Sequence, residues 1–205
     1  MQQDTRKVTS VDLVATAPTD PDAFLLWSSR RRPEEGKFEL SRGRVTRTEP
    51  YATRGHASVC TNIFGELACT LDDEMFDVGL SGFGVRTPVG IRIPDVLVDP
   101  VNEDLTQLAT ATPVFIAEVL SPSTTGSDFT EKLQEYTAIA SVQTYLICSQ
   151  DEPRAWIWAR QSDASWPKLP TELAGREGII SLGGLNVEVA MAAIFRGIPD
   201  APTLA

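Results

Sequence analysis

The chain has 205 residues, 42% of them hydrophobic and 22% charged, which suits one soluble domain with a full core and excludes a disordered or fibrous polypeptide. A net charge of −10 with a single histidine argues against a broadly basic nucleic-acid binder, because neutralised phosphates supply most of such binding. No apolar run reaches the roughly 18 residues of a membrane span, and Cys60, Cys69 and Cys148 form no CxxC pair, so they read as small core residues in a reducing, cytoplasmic compartment.

Residues 1–20 are polar, carry Pro18, and read as a loose arm ahead of a single domain over 21–197 and a short tail over 198–205. TDPD starts an amphipathic helix over Pro21–Arg32. FEL and RVTRTEP flank a glycine turn and predict a hairpin over Phe38–Thr48. From His56 to Leu71, His56, Cys60, Ile63, Phe64, Leu67 and Leu71 fall on one stripe, the clearest helix of the chain. FDVGL, GFGVRTP, IRIPDVLVDP and PVFIAEVLSP then read as four strands broken by Gly or Pro. Helical character returns over Asp128–Ala140, followed by strands in QTYLICSQ and RAWIWARQ, a weak strand near Ile179 and a terminal helix over Val187–Gly197. This order predicts a mixed sheet flanked by helices, α/β or α+β.

Two acids stand in apolar strands: Asp95 in IRIPDVLVDP and Glu118 in PVFIAEVLSP. A carboxylate in such a setting costs several kcal/mol unless a cation or a donor network meets it. An Arg or Lys from a neighbouring strand would serve. If the two strands are neighbours, a divalent ion would serve both acids, and oxygen-only ligation selects magnesium, manganese or calcium. Asp128, Lys132 and Tyr136 follow at i, i+4, i+8, on one helical stripe, and carry an ammonium toward the strand of Glu118.

PDV, AEVLSPST and the D-x-x-x-K-x-x-x-Y spacing resemble the Uma-type putative restriction endonuclease family of the PD-(D/E)XK nuclease superfamily. FELSRGRV resembles its early E-L-x-x-G segment, and His56 resembles the histidine that opens its first core helix. The resemblance covers roughly Phe38–Ile157 and implies a restriction-endonuclease-like core, a Mg2+ or Mn2+ cofactor, and DNA as the partner. It implies Asp95 and Glu118 as metal ligands, with the backbone carbonyl of Val119 as a third. The superfamily motif puts lysine at position 120, where this chain has Leu120; the resemblance implies that the following helix supplies it instead, as Lys132.

Glu39, between Phe38 and Leu40, is a further site candidate, with His56 and Tyr136 behind it. Asp128 reads first as a helix cap, and Trp156 and Trp158 as a packed or oligomeric strand face. Substrate contact in so acidic a chain would be local, through Arg30, Arg31, Arg32 and Arg54, or composed by a homodimer or higher homo-oligomer. Two functions follow: a metal-dependent DNA endonuclease, or a nuclease-like scaffold that binds or assembles without catalysis.

Overall fold

A short helix, α1 (Ser10–Ala15), lies inside the stretch expected as a loose arm, and its Leu13 joins the apolar cluster of Phe24, Phe38 and Leu40. It belongs to a computed structural model that describes residues 10–48, 52–121, 126 and 128–200. Helix α2 (Pro21–Ser28) begins where the sequence predicts: Asp20 accepts the N–H of Ala23 at 2.9 Å, and Pro21 takes the first position, where a missing N–H costs nothing. The hairpin follows as β1 (Lys37–Ser41) and β2 (Arg44–Thr48). Its two-residue turn puts Arg42 at φ 51° and Gly43 at φ 75°, the left-handed pair that matches strand twist. Side chains alternate across β1: Phe38 and Leu40 enter the apolar cluster, and Glu39, itself buried, points to the other face.

Thr53 caps helix α3 (Arg54–Thr70) by accepting the N–H of His56 at 3.1 Å, and donates its own hydroxyl to Gln150 at 2.6 Å. The first turn of α3 is therefore docked as well as capped. A Cβ at Gly55 would stand 2.6 Å from the Gln150 carbonyl oxygen, so the docking needs glycine there.

The middle of the chain supplies β3 (Phe76–Leu80), β4 (Gly84–Thr87), β5 (Gly90–Arg92), β6 (Val96–Pro100), β7 (Ala109–Thr110) and β8 (Phe115–Val119). The run IRIPDVLVDP, expected as one strand, is thus two. Pro94 cannot donate to a ladder, and the chain crosses there from one sheet to another. After a π-helical turn over Asp128–Lys132 come α4 (Leu133–Thr137), β9 (Thr144–Cys148), β10 (Arg154–Ala159), β11 (Thr171–Ala174), β12 (Ile179–Leu182), β13 (Val187–Ala190) and α5 (Met191–Ile194). The terminal segment expected as one helix is a strand followed by one helical turn. The alternation in Val-Glu-Val-Ala wins because β13 pairs with β12 and turns Val189 onto the core.

Five strands in the order β2-β1-β5-β4-β7 form one sheet, and six in the order β11-β10-β9-β8-β6-β3 form the other. Both are mixed, with parallel pairs β4–β7 and β8–β9. Helix α3 and the β12–β13 hairpin bury one face of the six-stranded sheet, through Val59, Ile63, Leu67, Val96, Ala117 and Ile180. Helix α4 and the turn after it cover the other, through Tyr136 and Ile139, against Ile116, Tyr145 and Trp158. The two tryptophans pack: Trp158 stacks on Tyr145 at 6.0 Å, and Phe129 meets Trp156 edge-on at 5.2 Å. Among the described residues no helix is long and apolar enough to cross a membrane.

Candidate functional site

Strands β6 and β8 are antiparallel neighbours, paired Val96 to Ala117. One step further, the same register sets Asp95 opposite Glu118. The ladder stops there, and the next N–H facing that edge, from Val119, donates to Asp95 Oδ2 at 2.9 Å. Leu120 N–H bonds to Cys148 on the opposite edge, so alternation directs both main-chain groups of Val119, its carbonyl included, toward Asp95.

His56 Nε2 stands 3.1 Å from the same Asp95 oxygen, and Lys37 Nζ lies 3.8 Å from Oδ1. Burial alone would push the Asp95 carboxyl up, but His56, the Val119 N–H and Lys37 together hold it below the usual carboxylate value. The other ring nitrogen of His56, Nδ1, is 3.4 Å from the thiol of Cys60 one turn along α3. His56, Cys60 and Asp95 thereby bring one ligating atom each within 4.8 Å of one another.

Glu118, only 3% exposed, faces α4. Lys132 Nζ is 2.9 Å from its Oε1, and the Tyr136 hydroxyl donates to the same oxygen at 2.9 Å. The helical stripe seen in the sequence is real for these two residues. The side chain of Asp128 and residues 122–124 of the AEVLSPST motif lie outside the described residues. Burial, then the charges of Glu118 and Glu39, push the Tyr136 phenol well above its ordinary value, so it stays a proton donor. Lys132 also reaches Glu39 Oε1 at 3.8 Å.

Glu39 arrives from the five-stranded sheet. Arg92 Nη1 donates to its Oε2 at 3.0 Å and the Ile93 N–H to its Oε1 at 3.1 Å. Arg92 grips Glu135 of α4 with two further donors, at 2.8 and 2.7 Å, and Ser41 and Thr87 complete that carboxylate. Burial raises the Glu135 carboxyl, yet Arg92, Ser41 and Thr87 outweigh it and the net shift is downward. One buried guanidinium therefore ties β1 to the helix that carries Lys132 and Tyr136.

Among the residues expected in the site, Glu118, Lys132, Tyr136 and Glu39 form one network, and Asp95, His56 and Val119 form a second against it. Arg92, Glu135 and Cys60 were not anticipated. Arg92 sits between Ile91 and Ile93, a buried charge in an apolar run like Glu118, and could have been found by the same signal. Of the basic cluster, Arg32 pairs with Glu34 and Glu35, and Arg31 lies over the Trp27 ring at 5.0 Å. Arg54 is exposed at the start of α3. The oxygen donors that can serve a hard cation are the Asp95 and Glu118 carboxylates and the Val119 carbonyl. This set of two carboxylates and one carbonyl fits magnesium or manganese.

The chain is thus a mixed α+β protein with buried acids at the ends of neighbouring strands and a lysine delivered from the helical segment that follows. Residues 21–192 match the Uma2 family, described as putative restriction endonuclease, and the chain belongs to that family. An uncharacterized protein of Synechocystis sp. PCC 6803, slr1290, is 28% identical over 186 residues, covering 87% of this chain and 92% of its own. A second from the same organism, sll1609, is 28% identical over 141 residues, 66% of this chain and 78% of its own. The crystal structure of a putative nuclease belonging to DUF820 from Anabaena variabilis superposes with a TM-score of 0.66 at 13% identity, over 83% of this chain and 96% of that one. At that identity the likeness concerns the fold.

Proposed function

We propose that this protein is a metal-dependent endonuclease that hydrolyses DNA phosphodiester bonds by attack of water. The observation that carries the reading is the placement of Asp95 and Glu118 at opposed positions one step beyond the β6–β8 ladder, with the Lys132 ammonium 2.9 Å from Glu118. Membership of the Uma2 family and the fold shared with a protein described as a nuclease support it.

In this reading Asp95, Glu118 and the Val119 carbonyl would hold one magnesium or manganese ion, which would supply a water of lowered pKa and positive charge for the phosphoryl oxygens. His56 and the Val119 N–H fix the Asp95 carboxylate. Tyr136 keeps Glu118 oriented by donating to it. Lys132, shared between Glu118 and Glu39 in the free protein, orients the attacking water and neutralises charge developing on the phosphorane. Glu39, clamped by Arg92, would complete a second metal position. The exposed Arg42, Arg44 and Arg54 extend the local basic surface beyond Arg30–Arg32, and a cytoplasmic homodimer would double it.

Nicking of supercoiled plasmid in magnesium or manganese tests the reading, with an RNA substrate alongside and manganese binding measured by calorimetry. Asp95→Ala and Glu118→Ala, each checked for folding, should lose both cleavage and manganese binding. Cleavage that survives in both variants refutes the site. Leu120 at the superfamily's lysine position, and the internal partners that already meet Glu118, favour a second reading as a non-catalytic scaffold. Failure of the wild type to bind millimolar manganese would support it.

A further inference from the structure

Cys60 has no role in the chemistry above, yet its sulfur lies 3.4 Å from the imidazole that holds Asp95. We propose that His56, Cys60 and Asp95 form a second cation site, which takes a soft divalent ion such as zinc in preference to magnesium and which shares Asp95 with the oxygen site.

Three features support it. His56 and Cys60 are four residues apart on α3, so they occupy one face of the helix. The Thr53 cap and the Gly55–Gln150 contact fix the turn that carries His56. The three ligating atoms already lie within 4.8 Å of one another. Tetrahedral zinc with bonds of about 2.0–2.3 Å holds its ligand atoms about 3.4–3.6 Å apart. Asp95 lies 3.1 Å from Nε2 and Cys60 3.4 Å from Nδ1, so a ligating atom already stands beside each ring nitrogen, and all three residues fall within a few tenths to just over 1 Å of such a spacing. A shared ion would use one ring nitrogen only, so on capture the sulfur or the carboxylate would have to move toward that nitrogen within the 4.8 Å cluster.

The donor types decide the selectivity. Thiolate and imidazole favour zinc or cobalt(II), whereas magnesium avoids sulfur. Capture releases the thiol proton to solvent, and the sulfur–metal bond stabilises the thiolate left behind. Cys60 and Asp95 are buried, while Lys37, with its side chain 37% exposed beside Asp95, marks the solvent side where water takes the fourth position. The Val119 N–H orients Asp95 from behind, as an outer-shell donor does. Because Asp95 serves both sites, zinc excludes the hard ion; this regulatory consequence rests on the proposed endonuclease reading, whereas the binding itself does not.

Cobalt(II), added alone to the intact protein, is the probe. Wild type should develop a near-ultraviolet sulfur-to-cobalt charge-transfer band, which zinc then erases. Cys60→Ser should lose the band and bind zinc at least about tenfold more weakly, with manganese affinity unchanged. Cys69→Ser should keep the band. His56→Gln, a second variant folded by circular dichroism, should also weaken zinc. Absence of the band in wild type, or its persistence in Cys60→Ser, overturns the proposal. If zinc binds as expected but Asp95→Ala leaves manganese binding intact, the soft site stands and the oxygen site fails.

Discussion

Replacing Lys132 by Met removes one charge and keeps most of the stem. In the protein the ammonium is 4% exposed, 2.9 Å from Glu118 and 3.8 Å from Glu39. Breaking a buried ion pair costs about 3–5 kcal/mol, since the abandoned charge stays buried. Glu118 keeps the Tyr136 hydroxyl, and Glu39 keeps Arg92 and the Ile93 N–H, so the lower end applies, about 3 kcal/mol. Urea unfolding followed by tryptophan fluorescence reads this directly. Two signatures separate a buried pair from simple loss of packing. If the proposed oxygen site holds, the cost shrinks in millimolar manganese, which would replace the missing cation at Glu118. It largely vanishes when Glu118 is already Gln. A coupling between the two sites below about 0.5 kcal/mol in that double-mutant cycle would refute the reasoning. If the site is catalytic, cleavage by Lys132→Met also falls by about 10²–10³, even under conditions where the protein is fully folded.

Glu135→Gln removes a carboxylate whose folded pKa is depressed; that carboxylate contributes stability above the unfolded value of about 4.3 and loses it as pH falls through the lower folded value. The variant should therefore be less stable than wild type at pH 7, with the gap closing in acid on a pH series of urea midpoints. Asp99 behaves oppositely: burial and Asp77, its cross-strand partner, raise its pKa, so its charge destabilises the folded state as pH rises. Asp99→Asn, whose side-chain oxygen can still accept from Thr110, should raise the neutral-pH midpoint; a lower midpoint would refute this. Gly90→Ala would put a Cβ 1.9 Å from the Leu40 carbonyl oxygen and force β1 away from β5. We expect a loss of about 3 kcal/mol or more, with weaker manganese binding because Glu39 and Arg92 ride on those strands, and an unaltered melting temperature would refute it.

Local chemistry made much of this fold legible. Asp20 in TDPD marked a helix start through its side-chain oxygen, and Gly43 marked the hairpin turn. Glu118 announced itself by cost, a charge among Phe, Ile, Ala and Val that needed a partner. The two-sheet arrangement was harder to read. IRIPDVLVDP has uniform strand character, and only tertiary pairing shows that its halves serve different sheets. The β12–β13 hairpin was obscured because VEVAMAAIF fits a helical as well as a two-residue period. Cys60 looked like core because its thiol is core; the imidazole beside it comes from one turn of helix, the aspartate from a distant strand.

The break at Pro94 has a mechanical side. Glu39 and Arg92 belong to the five-stranded layer, and Glu118 to the six-stranded one. Lys132 divides itself between them, at 3.8 Å from the first acid and 2.9 Å from the other. A shear of one layer past the other would change that division before it disturbed any strand. The lysine thus sits like the needle of a gauge set across a seam, where a shear between the layers would appear at the carboxylates as a change in charge balance.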